Sequence, residues 1–324
     1  MFEFFITRPL GFIIQFIYNI VQNYGWSIII FTVLIKLLLT PLQIKSQKGM
    51  KKQQKIQPII ADLQKKYAND KEKLQVEMMK VYKENNVSMM GGCLPLLIQF
   101  PILIGLYSVI QRPLKYLIGI NFKDANVISK VSDIVKQMAN NPEVAHAVES
   151  IKALAPEELA KNIEKYNQIN FATWCNYLGI EEWTINFNFY GLNLSKVPSS
   201  AFSRILSGDF SDWGVILLLL IPIVAVLTTW FSMRQTQKMS GTNSQNSEQA
   251  DTMNSMSKSM NMMMPLMTGF FSITLPAGLG LYWIASNIMQ VVTQWILNVY
   301  FDKKEDDFVV KIPEKNRKNS KKRK

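Results

Sequence analysis

Five apolar runs alternate with polar segments along this chain, and they predict an all-α membrane protein. An apolar run of about 20 residues can cross a bilayer as one helix. The predicted fold is a five-transmembrane-helix bundle with spans at residues 23–44, 91–118, 212–233, 261–276 and 277–300. Within the fourth span only residues 262–275 are apolar. That length is short for an ordinary bilayer, so we expect this span either to thin the bilayer locally or to be shielded by neighbouring helices.

Residues 1–22 precede the first span and have two interpretations. Apolar residues recur at helical spacing on one face, whereas Gln15 and Asn19 fall on the other. This pattern is typical of an amphipathic helix lying in the membrane interface, which is the interpretation we favour. The alternative is a signal peptide. Against it, Glu3 lies where such peptides carry positive charge, and no small-residue cleavage site follows.

Residues 45–90 predict a helical hairpin that is rich in lysine. Each arm carries a narrow apolar stripe, which is enough for the arms to hold each other but too thin for a globular core. Asp70 follows a plausible turn and is expected to cap the second arm. The stripe residues are Ile56, Ile59, Leu63 and Tyr67 in the first arm, and Leu74, Met78 and Val81 in the second.

The distribution of charge predicts the topology. Residues 45–90 carry 11 Lys against 5 acids, and the tail at 301–324 carries 10 Lys and Arg against 5 acids. Residues 119–211 carry 8 Lys and Arg against 10 acids. Because Lys and Arg collect on the cytoplasmic side, the hairpin, the loop at 234–260 and the basic disordered tail are expected inside. The N-terminus and the extracytoplasmic insertion at 119–211 are then expected outside.

The insertion is expected to change character along its length. Residues 124–170 have helix-forming composition, with Pro142 and Pro156 marking breaks. Residues 183–190 alternate apolar and polar side chains, as a strand does.

Lys36 lies near the middle of the first span, and it is the most informative residue of the chain. A lysine at the centre of a spanning helix costs roughly 2.5–3.5 kcal/mol on insertion scales. Such a side chain normally faces water or a partner. Apart from Asp212 at the very first position of the third span, no Asp or Glu occurs in any predicted span, so Lys36 has no counter-ion in their apolar parts.

Other polar residues fall in stripes on the predicted spans. Thr32 is four residues before Lys36 on the same helix face, and Gln99 lies between two prolines of the second span. These stripes indicate a hydrophilic groove within the bundle. The alternative is ordinary helix–helix packing, since Ser, Thr, Asn and Gln often bridge packed membrane helices. The remaining candidates lie in the fifth span: Tyr282, Trp283, Asn287, Gln290 and Gln294.

The patterns of common enzyme sites do not occur. Neither a nucleophile with a histidine partner nor a phosphate-binding loop is present. His146 is the single histidine, so we expect no catalytic residue and no metal site. We likewise expect neither enzymatic activity nor a cofactor.

Three motifs together resemble the YidC membrane-protein insertase family, in the form without the large external domain. They occur in the family's order, with a lysine-rich hairpin between the first two. They are NYGWSIII at 23–30 followed by Lys36, GGCLPLLIQFPI at 91–102, and LPAGLGLYWIASN at 275–287.

The resemblance implies a five-helix bundle whose hydrophilic groove opens to the cytoplasm and the lipid. It implies a bacterial plasma-membrane insertase and chaperone that inserts nascent membrane proteins, alone or beside the SecYEG channel. Lys36 occupies the position of the family's groove arginine, which keeps the charge but loses the fork of donors. Thr32, Gln99 and Trp283 match groove-lining positions. The insertion at 119–211 is longer than the family's usual connection.

The basic hairpin and tail are expected to receive a ribosome or nascent chain, and the protein is expected to act as a monomer. The alternative for these segments is contact with anionic lipid. A second function remains open, in which an anion channel or solute carrier uses the same polar stripes. A third is a passive scaffold in which the stripes only pack helices.

Overall fold

The computed structural model describes residues 3–88, 94–208, 210–211, 213–240 and 251–303, and it is mostly helical, as predicted. The helices before the insertion are α1 (Arg8–Val21), α2 (Tyr24–Leu38), α3 (Thr40–Lys66), α4 (Lys71–Glu84) and α5 (Leu94–Gln111). Those of the insertion are α6 (Ala125–Asn140), α7 (Ala145–Val148), α8 (Pro156–Asn162), α9 (Gln168–Tyr177) and α10 (Ser200–Leu206). A two-stranded antiparallel hairpin of β1 (Asn188–Phe189) and β2 (Leu192–Asn193) precedes α10. The last helices are α11 (Trp213–Leu217), α12 (Leu220–Ser240), α13 (Asp251–Thr274) and α14 (Ala277–Lys303).

Helix length and composition identify fewer membrane spans in the described part of the chain than the five predicted from the sequence. Among the described residues, Glu3–Val21 is long and apolar enough to cross a membrane. A second span is possible if the bent pair of α2 and α3 counts as one. Gln99–Gln111 and Met262–Thr274 are apolar but shorter. The arrangement in five spans therefore stays a prediction.

The helix predicted from Tyr24 onward breaks at Leu39, where α2 and α3 meet at an angle of 58°. Pro41 explains the break, because proline has no backbone N–H and its ring clashes with the preceding turn. Helix α3 then continues to Lys66, across the predicted boundary between the first span and the hairpin.

The chain forms two compact units. The first consists of Met1–Leu34, Phe100–Ile223 and Phe270–Trp283, and the second of Ile35–Gln99, Val224–Gly269 and Ile284–Lys324. The predicted loop at 234–260 is shorter than expected, because α12 continues to Ser240 and α13 begins at Asp251. Residues 241–250 of that loop and the predicted tail beyond residue 303 lie outside the described residues.

In the first unit, α1 packs against the helical turn at Leu114–Ile118. Leu10, Ile14 and Ile17 of α1 are buried, whereas Phe12 and Phe16 are exposed. The exposed face of this helix is thus aromatic and apolar. Nζ of Lys115 forms ion pairs with Glu3 (3.1 Å), in the helical turn that precedes α1, and with Glu164 of the insertion (2.9 Å).

The insertion has an apolar core of its own, and its helices break near Pro142 and Pro156, as predicted. A short strand pair also forms in its second part, beginning within the segment with alternating side chains. The core is lined by helix residues and closed by Trp183, whose ring meets Phe122 and Phe171 edge to face. Buried helical residues of this core include Val131, Ile134, Met138, Leu159 and Phe171.

Residues 186–199 of the insertion pair with the ends of three other helices. The backbone N–H of Tyr24, at the start of α2, donates to Asn186 O (3.0 Å). The N–H of Ala277, at the start of α14, donates to Lys196 O (2.9 Å), and Ser199 N–H donates to Ile273 O near the end of α13 (2.9 Å). Groups at helix ends have no partner within the helix, so the insertion satisfies backbone atoms that would otherwise be unpaired.

Two glycines of the sequence motifs allow close packing in this unit. A Cβ on Gly25 would lie 2.4 Å from the Phe189 ring, and one on Gly278 would lie 2.8 Å from the Tyr24 ring. Any larger residue would force these neighbours apart, which explains glycine at both positions.

In the second unit, α3 and α4 form the predicted helical hairpin, and the chain reverses between Lys66 and Lys71. Asp70 caps α4 as predicted, since its carboxylate accepts a hydrogen bond from Lys73 N–H (3.0 Å). The predicted stripes meet in one apolar cluster, in which Ile60, Tyr82 and Val87 also take part.

The hairpin core predicts a difference between two valines of α4. Val81 is fully buried, whereas Val76 is 50% exposed. We expect Val81→Ala to destabilise the hairpin by about 2 kcal/mol, because it removes buried methyl groups and leaves a cavity. Amide hydrogen exchange should then speed up across residues 53–85 and stay unchanged in the insertion. Val76→Ala is the matched control, and equal exchange in the two variants would contradict the packing.

The buried thiol of Cys175 predicts slow chemical labelling. Burial raises the pKa of Cys175 to about 12, so very little reactive thiolate exists at pH 8. In a Cys93→Ser background, we expect a maleimide to label Cys175 only after denaturation. Adding Tyr177→Cys, two residues along the same helix and exposed, should give rapid labelling of the native protein. Equally rapid labelling of Cys175 alone would show that the core of the insertion opens readily.

Candidate functional site

Lys36 lies near the end of α2 in the second unit, and its side chain is only 7% exposed. Its Nζ donates a hydrogen bond to Oε1 of Gln99 at 3.3 Å. It forms no ion pair with any carboxylate in the described part of the chain. The ammonium group is therefore buried beside a neutral amide, and its charge is not neutralised by a neighbour.

The energetics make this arrangement unusual. Burying an ammonium group removes its hydration, and one long hydrogen bond to an amide replaces only part of it. Paired charges in protein interiors normally recover that loss through a carboxylate or several strong donors and acceptors. Lys36 thus provides a positive potential that an acidic or strongly polar group would satisfy better than Gln99 does.

Thr32 is also buried, but its hydroxyl is engaged within its own helix. Oγ1 donates to the backbone oxygen of Ile28 at 2.6 Å, four residues earlier. This bond is common for threonine in apolar helices, because it satisfies the hydroxyl without a distant partner.

Two of the predicted residues of α14 bond to threonines of α12. Nδ2 of Asn287 donates to Oγ1 of Thr229 (2.8 Å) and of Thr228 (3.2 Å). Nε2 of Gln294 donates to Oγ1 of Thr236 at 2.7 Å. These contacts match the alternative of polar packing between helices, which favours neighbouring hydroxyl and amide groups.

Sequence reasoning missed a further amide, Gln47 of α3, which is buried in the second unit. Its Nε2 donates to Oδ1 of Asn298 (3.1 Å) and to the backbone oxygen of Gln294 (3.4 Å), linking α3 to α14. The sequence did contain a signal for this contact. Gln43 and Gln47 are four residues apart, as are Gln294 and Asn298, so each pair lies on one face of its helix.

Several side-chain oxygens in this unit are buried without a hydrogen-bond partner among the described residues. They belong to Gln43, Gln53, Gln235 and Gln294. The amide nitrogen of Gln294 donates a hydrogen bond, whereas its oxygen accepts none from the described residues. The buried side-chain groups without a partner in the described part of this unit are therefore hydrogen-bond acceptors.

The other candidates have different surroundings. Tyr282 is buried, and Gln290 is half-buried. The Trp283 ring lies nearly parallel to that of Phe271, with 6.4 Å between the ring centroids. Contacts thus join Lys36 to Gln99, and Asn287 and Gln294 to α12, whereas Thr32 bonds to its own helix.

Comparison with known proteins places the chain in a family. Residues 16–304 match the family described as 60Kd inner membrane protein. A Caldanaerobacter subterraneus protein named Membrane protein insertase YidC is 29% identical over 90% of this chain and 93% of its own length.

Proteins of the same name match more locally. One from Clostridium perfringens is 53% identical over 33% of this chain and 44% of its own length. One from Nitratidesulfovibrio vulgaris is 47% identical over 34% of this chain, and the match spans 21% of that longer relative. The resemblance drawn from the three sequence motifs is therefore confirmed, and this chain belongs to the 60Kd inner membrane protein family.

Proposed function

We propose that this protein is a membrane protein insertase and chaperone of the bacterial plasma membrane. The observation that carries the proposal is Lys36, a buried ammonium group with one neutral hydrogen-bond partner and no carboxylate beside it in the described chain. Family membership and relatives that carry the insertase name support the same function.

In the proposed mechanism, a short hydrophilic segment of a nascent membrane protein enters a groove lined by the predicted polar residues. Lys36 attracts acidic groups of that segment, and the neutral amides and hydroxyls replace part of its hydration. The adjoining apolar segment then moves into lipid. Burial of that segment drives insertion at about 25 cal/mol per Å² of apolar surface, so neither nucleotide nor cofactor nor enzymatic step is required.

The proposed topology has the N-terminus outside and the C-terminus in the cytoplasm. This orientation places the hairpin of α3 and α4 where a ribosome could meet it. Contact with ribosomal RNA would use the exposed lysines of the hairpin together with the basic tail. The exposed lysines are Lys45, Lys48, Lys55, Lys65, Lys66, Lys71, Lys73, Lys80 and Lys83. We further propose that the protein acts as a monomer, alone or beside SecYEG.

The role of the charge can be tested by changing only Lys36. We expect Lys36→Met to slow insertion of a single-span protein with an acidic outer segment on the order of tenfold, or about 1.4 kcal/mol, because charge attraction is lost. Lys36→Arg should retain most of the activity, since it keeps the charge. Protease protection of the substrate in proteoliposomes measures the rate.

Leu37→Met is the matched control for Lys36→Met, because Leu37 is the neighbouring residue and is exposed. Full activity of Lys36→Met would contradict the proposal and favour a passive scaffold. If Lys36→Met instead abolished an anion flux while insertion stayed normal, the channel alternative would be correct.

The path of the substrate can be tested by site-directed crosslinking. A photoreactive amino acid at positions 32, 36, 99 or 283 should crosslink to a nascent membrane protein stalled on the ribosome. The same group at the exposed position 177 of the insertion should give no crosslink. The absence of crosslinks from all four groove positions would remove the groove from the mechanism.

A further inference from the structure

Exposed apolar residues in the extracytoplasmic insertion are concentrated at one place. Along its described residues from 119 to 199, only Tyr177 and Tyr190 are exposed large hydrophobic side chains. The next few residues contain Phe202, Ile205, Leu206, Phe210 and Trp213, all of them exposed. The exposed apolar residues therefore lie at the end of the insertion, just before α11 and α12.

Three of these exposed side chains belong to helix α10 and lie on one face of it. Ile205 and Leu206 lie three and four residues after Phe202, so both adjoin it on the helix, and Leu206 is 86% exposed. Ala201 is fully buried, so its side of α10 lies against the protein. Helix α10 packs on α11, and the hydrogen bond from Ser199 to Ile273 fixes its start.

A second apolar element is the tip of the β-hairpin. Tyr190 and Gly191 both have positive φ, of 50° and 83°, which forms the tight turn between β1 and β2. Tyr190 is 80% exposed, and its ring centroid lies 6.4 Å from that of Trp26, near the start of α2. Phe189 packs between them, with 5.8 Å to Trp26 and 4.9 Å to Tyr190.

The composition of this surface fits the boundary between lipid headgroups and acyl chains. Trp and Tyr concentrate at that depth because their rings are apolar and their tips are polar. The surface is also continuous with an exposed apolar stripe on α11 and α12, formed by Trp213, Leu217 and Leu220 at helical spacing. An exposed apolar stripe on a predicted span contacts lipid. Because the surface of α10 adjoins this stripe, we take lipid as its partner too.

We propose that α10, Phe210, Trp213 and the Tyr190 turn form an interfacial anchor that holds the insertion on the outer leaflet of the membrane. Phe202, Ile205 and Leu206 enter the headgroup–acyl boundary, and Tyr190 and Trp26 lie at the same level. The helices α6 to α9, which expose few large apolar residues, then face water. This role rests on the proposed topology, but it does not require the proposed insertase activity.

The anchor can be tested by fluorescence quenching in the full-length protein. An environment-sensitive dye is attached to Leu206→Cys, Tyr190→Cys or Tyr177→Cys, each in the Cys93→Ser background, and Cys93→Ser alone measures labelling of Cys175. The proteins are reconstituted in phosphatidylethanolamine–phosphatidylglycerol vesicles. We expect dyes at 206 and 190 to be quenched by lipid with a doxyl group at carbon 5. Their quenching by aqueous iodide should be several-fold weaker than at 177.

The control position 177 lies on the same insertion and is also exposed, so it reports the accessibility of water on that side of the vesicle. Equal iodide quenching at 206 and 177, without lipid quenching at 206, would overturn the proposal. Shielding at 206 in native membranes but not in purified lipid would also overturn it, and would indicate a protein partner for this surface.

Discussion

The proposed function depends on a positive charge that is buried without a carboxylate beside it in the described chain. Lys36 lies in an apolar helix, and its hydrogen bond goes to an uncharged amide. A resident carboxylate would neutralise the charge and would compete with any incoming acidic group. The cost of leaving the ammonium group poorly satisfied is a cost in folding stability, and such costs persist in proteins where they serve a function.

The neutral polar groups of the second unit have a different role. Asn287 and Gln294 use their amide nitrogens to bond α14 to α12, and Gln47 bonds α3 to α14. These bonds position helices, so much of the polar stripe is structural. The predicted groove and the alternative of polar packing are therefore compatible, because one amide can donate to a neighbouring helix while its oxygen stays unpaired.

Local patterns in the sequence predicted the parts of the structure that depend on local interactions. The hairpin, its Asp70 cap and the breaks near Pro142 and Pro156 follow from spacing and from the chemistry of single residues. Pro41 also indicates the break at Leu39, but the apolar run continues through it and therefore favoured one unbroken helix. Gln47 was missed because its partners lie about 250 residues away along the chain, and no local pattern encodes that pairing.

The insertion shows most clearly what a sequence pattern leaves out. Its length and charge indicate a separate external domain, yet its carbonyl groups accept hydrogen bonds from the first residues of α2 and α14. Deleting residues 186–199 would leave those N–H groups without partners and would remove the rings that pack on Gly25. The two helices that begin there carry Lys36 and most of the other predicted groove residues. The insertion therefore caps the first residues of both helices, which its length and charge alone do not reveal.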